Sequence, residues 1–116
     1  MAGVRGMDWT DSVADAAVIG RPRGRIDEAS WESFLADITT RILGAAQAGK
    51  GFILDLADVD YMSSRGLRVL TLAKREADGH RIALTLARPN ARMREILAIS
   101  RYDKIFAIAD DLSGAA

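Results

Sequence analysis

The sequence predicts an α/β fold in which a central mixed β-sheet is flanked by α-helices. Short apolar runs alternate along the chain with longer segments whose apolar residues recur every three or four positions. One central run is apolar almost throughout, as in a strand covered on both faces. The chain has 116 residues, 49% of them hydrophobic, which suffices for one core but not for two. We expect a loosely ordered segment at residues 1–12 and a single domain at residues 13–116.

Two short strands are predicted at the start of the domain. An apolar run at residues 16–19 is broken by a turn rich in glycine and proline, and the apolar pattern resumes at Ile26. Trp9 is a candidate edge-strand residue ahead of them. Asp27 or Ser30 can cap the helix that follows, because a short side-chain oxygen can accept the free N–H groups of its first turn.

The first helix is predicted from one apolar stripe, formed by Trp31, Phe34, Leu35, Ile38 and Ile42. This stripe assigns both aromatic side chains to core packing and not to a ligand. Gly44 or Gly49 ends the helix. Residues 52–56 then form the central strand of the sheet.

The second helix is predicted to begin after Ser63 and Ser64, and residues 58–62 form the connection that leads to them. Its apolar residues share one face: Leu67, Leu70, Ala73 and Ala77. Gly79 is placed to end it.

The remaining elements are a strand, a helix and a last short strand. Large apolar residues occupy every second position at 82, 84 and 86 and alternate with Arg81, Ala83 and Thr85, which is typical of a strand with one buried face. Asn90 caps a third helix, whose apolar residues are Met93, Ile96 and Leu97. Residues 105–108 are predicted to form an edge strand, and residues 110–116 either add a half-turn of helix or fray.

The composition excludes several classes of protein. Sixteen basic residues balance sixteen acidic ones, so nothing in the net charge favours binding to nucleic acid or to an anionic membrane. The chain has no cysteine, which excludes disulfides and thiol catalysis. The first residues lack the apolar stretch of a secretory signal, and no apolar run approaches the roughly 20 residues of a membrane helix. We expect a cytoplasmic protein.

Enzyme activity is not expected, because no catalytic or cofactor motif is present. Asp55, Asp58 and Asp60 match no known metal-binding spacing and are interpreted as a solvated turn or a backbone cap. The single histidine, His80, follows a glycine that ends a helix and is interpreted as a surface turn residue. We expect neither a metal nor an organic cofactor.

Ser63 and Ser64 can serve two purposes at the start of the second helix. Serine is a favoured N-cap, and the cap alone explains its position before a helix. A phosphate at the same place would lie at the positive end of the helix dipole and would add about two negative charges. The residue pattern alone leaves the cap and the switch open, and favours the cap.

The run V-D-Y-M-S-S-R-G-L-R-V-L, at residues 59–70, resembles the signature of STAS domains (sulphate transporter and anti-sigma factor antagonist). In that signature a Ser-Ser or Asp-Ser pair is followed after one residue by Gly-Leu. The stretches G-R-I-D at residues 24–27 and L-D-L-A-D-V at residues 54–59 resemble the same family. The resemblance extends over roughly residues 13–112 and identifies the domain at residues 13–116 as STAS-like.

The resemblance to the anti-sigma factor antagonists implies a partner-switching regulator of transcription. The unmodified protein would bind an anti-sigma factor that is also a serine kinase of the histidine-kinase-like ATPase type, and phosphorylation would release it. A phosphatase could reverse the modification. The resemblance assigns the phosphate to Ser64, with Ser63 as the less favoured acceptor. Here Ser63 replaces a frequent aspartate and Arg65 replaces a small residue.

The partner-binding face is predicted around the same helix, since aromatic, methionine and arginine side chains are enriched at the centres of interfaces. It comprises Tyr61, Met62, Ser63, Arg65, Gly66 and Arg68. The alternative is that Tyr61 and Met62 lie partly in the core and that only the arginines are exposed. The alternative function is that of a STAS docking subunit in a transport or stress-sensing assembly, which would need no phosphorylation.

Overall fold

A computed structural model describes residues 7–115. It contains seven strands: β1 Trp9–Val13, β2 Ala17–Pro22, β3 Gly24–Ile26, β4 Gly51–Asp55, β5 Val59–Met62, β6 Leu84–Ala87 and β7 Ala107–Ala109. The helices are α1 Trp31–Gln47, α2 Ser64–Gly79, α3 Ala91–Ile99 and the short α4 Leu112–Ala115. A single 3₁₀ turn, Tyr102–Lys104, precedes β7.

Five of the strands form a mixed sheet in the order β1-β2-β4-β6-β7. Strand β1 is antiparallel to β2, whereas the other neighbours are parallel. Parallel neighbours need a crossover, and α1, α2 and α3 lie in the connections that join β2 to β4, β4 to β6 and β6 to β7. The predicted fold class, a central mixed sheet flanked by helices, is confirmed.

The two faces of the sheet are covered differently. Phe52 and Leu54 of β4 point to the main core, where they pack with buried side chains of α1, α2 and α3. Ile53 points to the opposite face and belongs to a smaller cluster, against which Leu112 of α4 packs. Because side chains alternate along a strand, Asp55 also projects to this second face.

The sheet begins at Trp9, within the segment expected to be loosely ordered. Residues 9–13 pair with β2, and the Trp9 ring stacks on Phe34 of α1 with centroids 5.9 Å apart. The guanidinium of Arg41 lies 4.1 Å from the centroid of the Trp9 ring and donates to Asp11 at 2.7 Å. These contacts with α1 hold the strand in place, so order starts before residue 13. Residues 1–6 lie outside the described residues.

The predicted connection at residues 58–62 contains strand β5, and that prediction is corrected. Strand β5 pairs in parallel with β3, which places Ile26 beside Met62 in a separate two-stranded sheet. The Gly24 N–H donates to the Asp58 carbonyl at 2.9 Å. Such a pairing is invisible to local periodicity, because β3 has three residues and β5 has four.

Element ends follow local backbone chemistry. Gly49, with φ +69°, follows the end of α1, whereas Gly44 lies inside the helix. Asn90 caps α3 as predicted, since its side-chain oxygen accepts from Met93 N–H at 2.8 Å. Ser30 occupies the N-cap position of α1, but its hydroxyl donates instead to the Arg25 carbonyl at 2.8 Å. The last strand begins two residues later than predicted, at Ala107, and Ile105, which is 54% exposed, precedes it.

Gly66 allows α2 to approach β3 and β5 closely. A Cβ at this position would lie 2.5 Å from Met62 Cγ, 2.8 Å from Ile26 Cγ2 and 3.2 Å from the Ile26 carbonyl oxygen. Two of these distances are too short for any Cβ, so a larger residue would push the start of the helix away from the sheet.

We expect Gly66→Ala to lower the free energy of unfolding by about 2 kcal/mol, because the core would be overpacked there. Gly44→Ala is the matched control, since Gly44 lies inside α1 and a Cβ there meets nothing within 4 Å. Replacing this glycine inside a helix by alanine should raise the free energy of unfolding by about 1 kcal/mol. Chemical denaturation of both variants tests the contact, and equal shifts in the same direction would contradict it.

Candidate functional site

Ser63 connects β5 to α2 and is the N-cap of that helix. Its N–H donates to the Ile26 carbonyl at 2.8 Å, and its carbonyl accepts from Leu67 N–H at 2.9 Å. Its hydroxyl oxygen accepts from Gly66 N–H at 3.3 Å. The half-buried side chain of Ser63 is therefore engaged in holding the first turn of α2.

Ser64 is the first residue of α2, and its side chain is exposed. Its hydroxyl makes no hydrogen bond with any residue in the range 7–115. Ser63, and not Ser64, is therefore the N-cap of α2. Of the two serines, only Ser63 holds the cap, and the Ser64 side chain is left exposed.

We expect Ser63→Ala to lower the free energy of unfolding by about 1 kcal/mol, because a Gly66 N–H would lose its acceptor. Ser64→Ala removes no hydrogen bond and should change stability by less than about 0.5 kcal/mol. Thermal or urea unfolding of the two variants measures this difference. A larger loss for Ser64→Ala than for Ser63→Ala would show that the cap has been assigned to the wrong residue.

The first turn of α2 is positively charged. It contains Arg65 and no acidic residue. The Arg65 guanidinium lies 2.9 Å from a carboxylate oxygen of Glu28 and 5.3 Å from the centroid of the Trp31 ring. Arg68, one turn further along, is exposed and forms no ion pair within the described residues. Helix dipole and arginines together make this end of the helix a favourable place for negative charge.

Tyr61 of β5 is half-buried beside two further arginines. Its ring centroid lies 4.6 Å from the Arg25 guanidinium and 5.9 Å from that of Arg92. Arg25 is also 3.6 Å from a carboxylate oxygen of Asp27. Tyr61 thus presents part of an aromatic surface that is flanked by positive charge.

Two residues of the predicted partner-binding face are not on the surface. Met62 is 2% exposed and belongs to the main core, and Gly66 is buried against it. The prediction is corrected for both, because the core side of α2 needs them. The four remaining residues of the predicted face are partly or fully exposed: Tyr61, Ser63, Arg65 and Arg68.

A groove between α1 and α2 was not predicted from the sequence. It has a volume of about 320 Å³ and is lined by Trp31, Arg65, Arg68, Val69 and Leu72. Trp31 was predicted to lie in the core with Phe34, but only Phe34 is fully buried, and Trp31 contributes an exposed part to the groove. The apolar stripe of α1 could not distinguish a fully buried aromatic residue from a partly exposed one, because Trp31 and Phe34 both lie on it.

Asp55, at the end of β4, is not a solvated residue. It is 1% exposed, and it accepts from Arg88 Nη2 at 2.5 Å and from Arg88 Nε at 3.1 Å. It also accepts from Ala57 N–H at 3.1 Å, which makes it a backbone cap as well. The hydrogen bond to Asp55 raises the pKa of the Arg88 guanidinium above its usual value, against the opposing effect of burial. This pair ties the loop after β4 to the end of β6.

The remaining side chains considered as ligands or catalytic groups, Asp58, Asp60 and His80, form no common site. Asp58 lies 3.2 Å from Arg21 Nε, Asp60 is exposed, and His80 contacts Glu76 at 3.0 Å. Within residues 7–115, no group of three or more such side chains is arranged to hold a metal ion. No helix in this range combines the length and apolar content that crossing a membrane requires.

Comparison with known proteins assigns the chain to a family. The family model of the STAS domain matches residues 9–115. The chain is 32% identical to the anti-sigma factor antagonist BtrV of Bordetella bronchiseptica over 113 residues, which cover 95% of this chain and 92% of BtrV.

Solved structures share the fold. An anti-sigma factor antagonist of Thermotoga maritima superimposes with a TM-score of 0.79 at 22% identity, covering 92% of this chain and 90% of that chain. SpoIIAA of Bacillus in its phosphorylated form gives a TM-score of 0.62 at 22% identity, covering 89% of this chain and 92% of that chain. The chain therefore belongs to the STAS domain family and, within it, to the anti-sigma factor antagonists.

Proposed function

We propose that the protein is a partner switch that acts by binding and not by catalysis. In its unmodified form it binds an anti-sigma factor that is also a serine kinase of the histidine-kinase-like ATPase type. That kinase phosphorylates Ser64, and the modified protein is released. The observation that carries the proposal is the exposed Ser64 hydroxyl, which has no hydrogen-bond partner among residues 7–115.

The division of roles between the two serines supports Ser64 as the acceptor. A kinase needs an acceptor hydroxyl that is free to enter its active site. The Ser63 hydroxyl oxygen is instead engaged as the acceptor of a hydrogen bond from Gly66 N–H at 3.3 Å. Modification of Ser63 would remove the cap, whereas modification of Ser64 leaves it in place. Phosphorylation of Ser64 therefore changes the surface without unfolding the first turn.

The electrostatics of the first turn support a phosphate at this position. The positive end of the α2 dipole and the neighbouring Arg65 favour an anion there, so the modified protein remains folded. An interface built around a neutral hydroxyl would instead have to desolvate about two negative charges. The modification thus lowers affinity without lowering stability.

A relative with the same fold is known in a phosphorylated form, namely SpoIIAA of Bacillus. This precedent supports a phosphate-dependent mechanism for the present chain. A phosphatase that removes the phosphate would return the protein to its binding form. The alternative, a docking subunit of a larger assembly, predicts binding to partners without any modification of Ser64.

Phosphate mapping tests the proposal. The protein, Ser64→Ala and Ser63→Ala are each incubated with ATP and the kinase that binds the unmodified chain, and modified peptides are identified by mass spectrometry. We expect phosphate on Ser64 in the wild type and in Ser63→Ala, and none in Ser64→Ala. Phosphate on Ser63 alone would refute the residue assignment, and tight binding without any phosphate would favour the docking subunit.

A further inference from the structure

The groove between α1 and α2 combines an apolar floor with a cationic rim. The half-buried Leu72 of α2 and the ring of Trp31 supply the apolar surface above the buried Val69, and Arg65 and Arg68 stand at the rim. Its volume of about 320 Å³ can accept a bulky side chain.

Trp31 also lines a second depression, of about 340 Å³, along α1. The other residues of the depression are Glu32, Leu35, Ala36 and Thr39. The half-buried Trp31 thus lines both cavities. Tryptophan is one of the residue types enriched in binding hot spots.

The charges at the rim select the chemistry of the occupant. Arg65 is already paired with Glu28 at 2.9 Å, whereas Arg68 forms no ion pair within the described residues. An exposed arginine beside an apolar floor is complementary to a segment in which a carboxylate accompanies a large apolar side chain. A basic or purely apolar segment would leave the guanidinium without a partner.

We propose that this groove receives an acidic segment of the anti-sigma factor, which places a bulky apolar side chain against Trp31 and a carboxylate against Arg68. The inference rests on the proposed function and assigns a second contact area to the same partner. Charge complementarity is the argument for this occupant.

The position of Arg68 also connects the groove with the phosphate. Ser64 and Arg68 are four residues apart on α2 and lie on the same side of the helix. A phosphate on Ser64 would form an ion pair with Arg68 and so compete with the carboxylate of the partner. Phosphorylation would thus weaken the groove contact in addition to changing the charge at Ser64 itself.

The two tryptophans of the chain provide the test and its internal control. Trp31 lies in the groove, whereas Trp9 lies on the β1 side of α1, with its Nε1 donating to Asp37 at 3.2 Å. In a titration of ¹⁵N-labelled protein with the purified kinase, we expect the Trp31 indole signal to shift or broaden. The Trp9 signal should report only the slower tumbling of the complex.

Charge reversal at the rim supplies the second measurement. Arg68→Glu should weaken kinase binding by at least about tenfold, because a repulsive pair replaces an attractive one. Arg75→Glu is the matched control, since Arg75 is an exposed arginine of the same helix that does not line the groove. Its affinity should remain within about twofold of wild type.

The outcomes separate this inference from the proposed function. If wild type binds and is phosphorylated, but Arg68→Glu binds equally well and the Trp31 signal stays unperturbed, the groove proposal is overturned and the switch survives. If wild type does not bind the kinase at all, both fail. A Trp31 signal that shifts with protein concentration in the absence of kinase would show that a second copy of the chain occupies the groove, and would overturn the assignment to the partner.

Discussion

Ser64→Asp is expected to weaken binding of the kinase by about a hundredfold, since the interface would have to desolvate a carboxylate at the exposed start of α2. Ser64→Ala removes the hydroxyl without adding charge and should bind about as tightly as wild type. Calorimetric titration of the kinase with each variant measures the difference. Both variants should retain wild-type stability, because Ser63 and not Ser64 caps the helix.

The control for added charge is Ser12→Asp, because Ser12 is an exposed serine on β1, away from the start of α2. It introduces the same carboxylate with the same change in net charge. If Ser12→Asp and Ser64→Asp weaken kinase binding equally, the effect is one of net charge, and the proposed binding face is contradicted.

Arg88→Ala is expected to lower the free energy of unfolding by about 3 kcal/mol, because it leaves the carboxylate of Asp55 buried without its cation. Asp55 is 1% exposed, whereas the Arg88 side chain is 34% exposed. The substitution therefore destabilises the buried residue of the pair, Asp55, whose remaining hydrogen bond comes from Ala57 N–H. Urea denaturation measures the difference in the free energy of unfolding, when the wild type and the variant are fitted with a common m-value, the slope of that free energy against urea concentration.

Arg94→Ala is the matched control, because it breaks an arginine–aspartate pair of similar length at the surface. Arg94 and Asp110 are 2.6 Å apart, with side chains that are 48% and 87% exposed. Solvent screens such a pair, so we expect a loss below about 1 kcal/mol. Similar losses in Arg88→Ala and Arg94→Ala would show that burial of Asp55 does not determine the strength of its pair.

The parts of the fold that follow from local pattern were predictable. The stripes of α1 and α2 and the nearly continuous apolar run of β4 each match one period, and all three elements are present in the structure. Strand β5 was not predictable in this way, because residues 59–62 form a strand by pairing in parallel with β3, which is distant in the sequence. Neither strand is long enough to show alternation.

The candidate site shows the same division between local and tertiary information. The motif around Ser64 could be read directly, because its residues are contiguous in the sequence. The assignment of the cap to Ser63 required the backbone geometry of the first turn. The Asp55–Arg88 pair and the groove at Trp31 depend on strand register and on the packing of α1 against α2, which no local pattern contains.

The burial of Met62 and Gly66 bears on the proposed switch. Both residues lie under the start of α2, so the contacts that hold this helix against β3 and β5 are separate from the exposed Ser64. In the proposed switch, a charge added at Ser64 would act on a partner directly and would not have to be transmitted through the core.

Displacement of a sigma factor is the most direct test of the switch. A preformed complex of the kinase and its sigma factor is titrated with unmodified protein and, separately, with protein phosphorylated on Ser64, and free sigma factor is quantified by size-exclusion chromatography. We predict that the unmodified protein releases the sigma factor and that the phosphorylated protein leaves the complex intact. Equal release by both forms, or no release by the unmodified form, would contradict the partner switch.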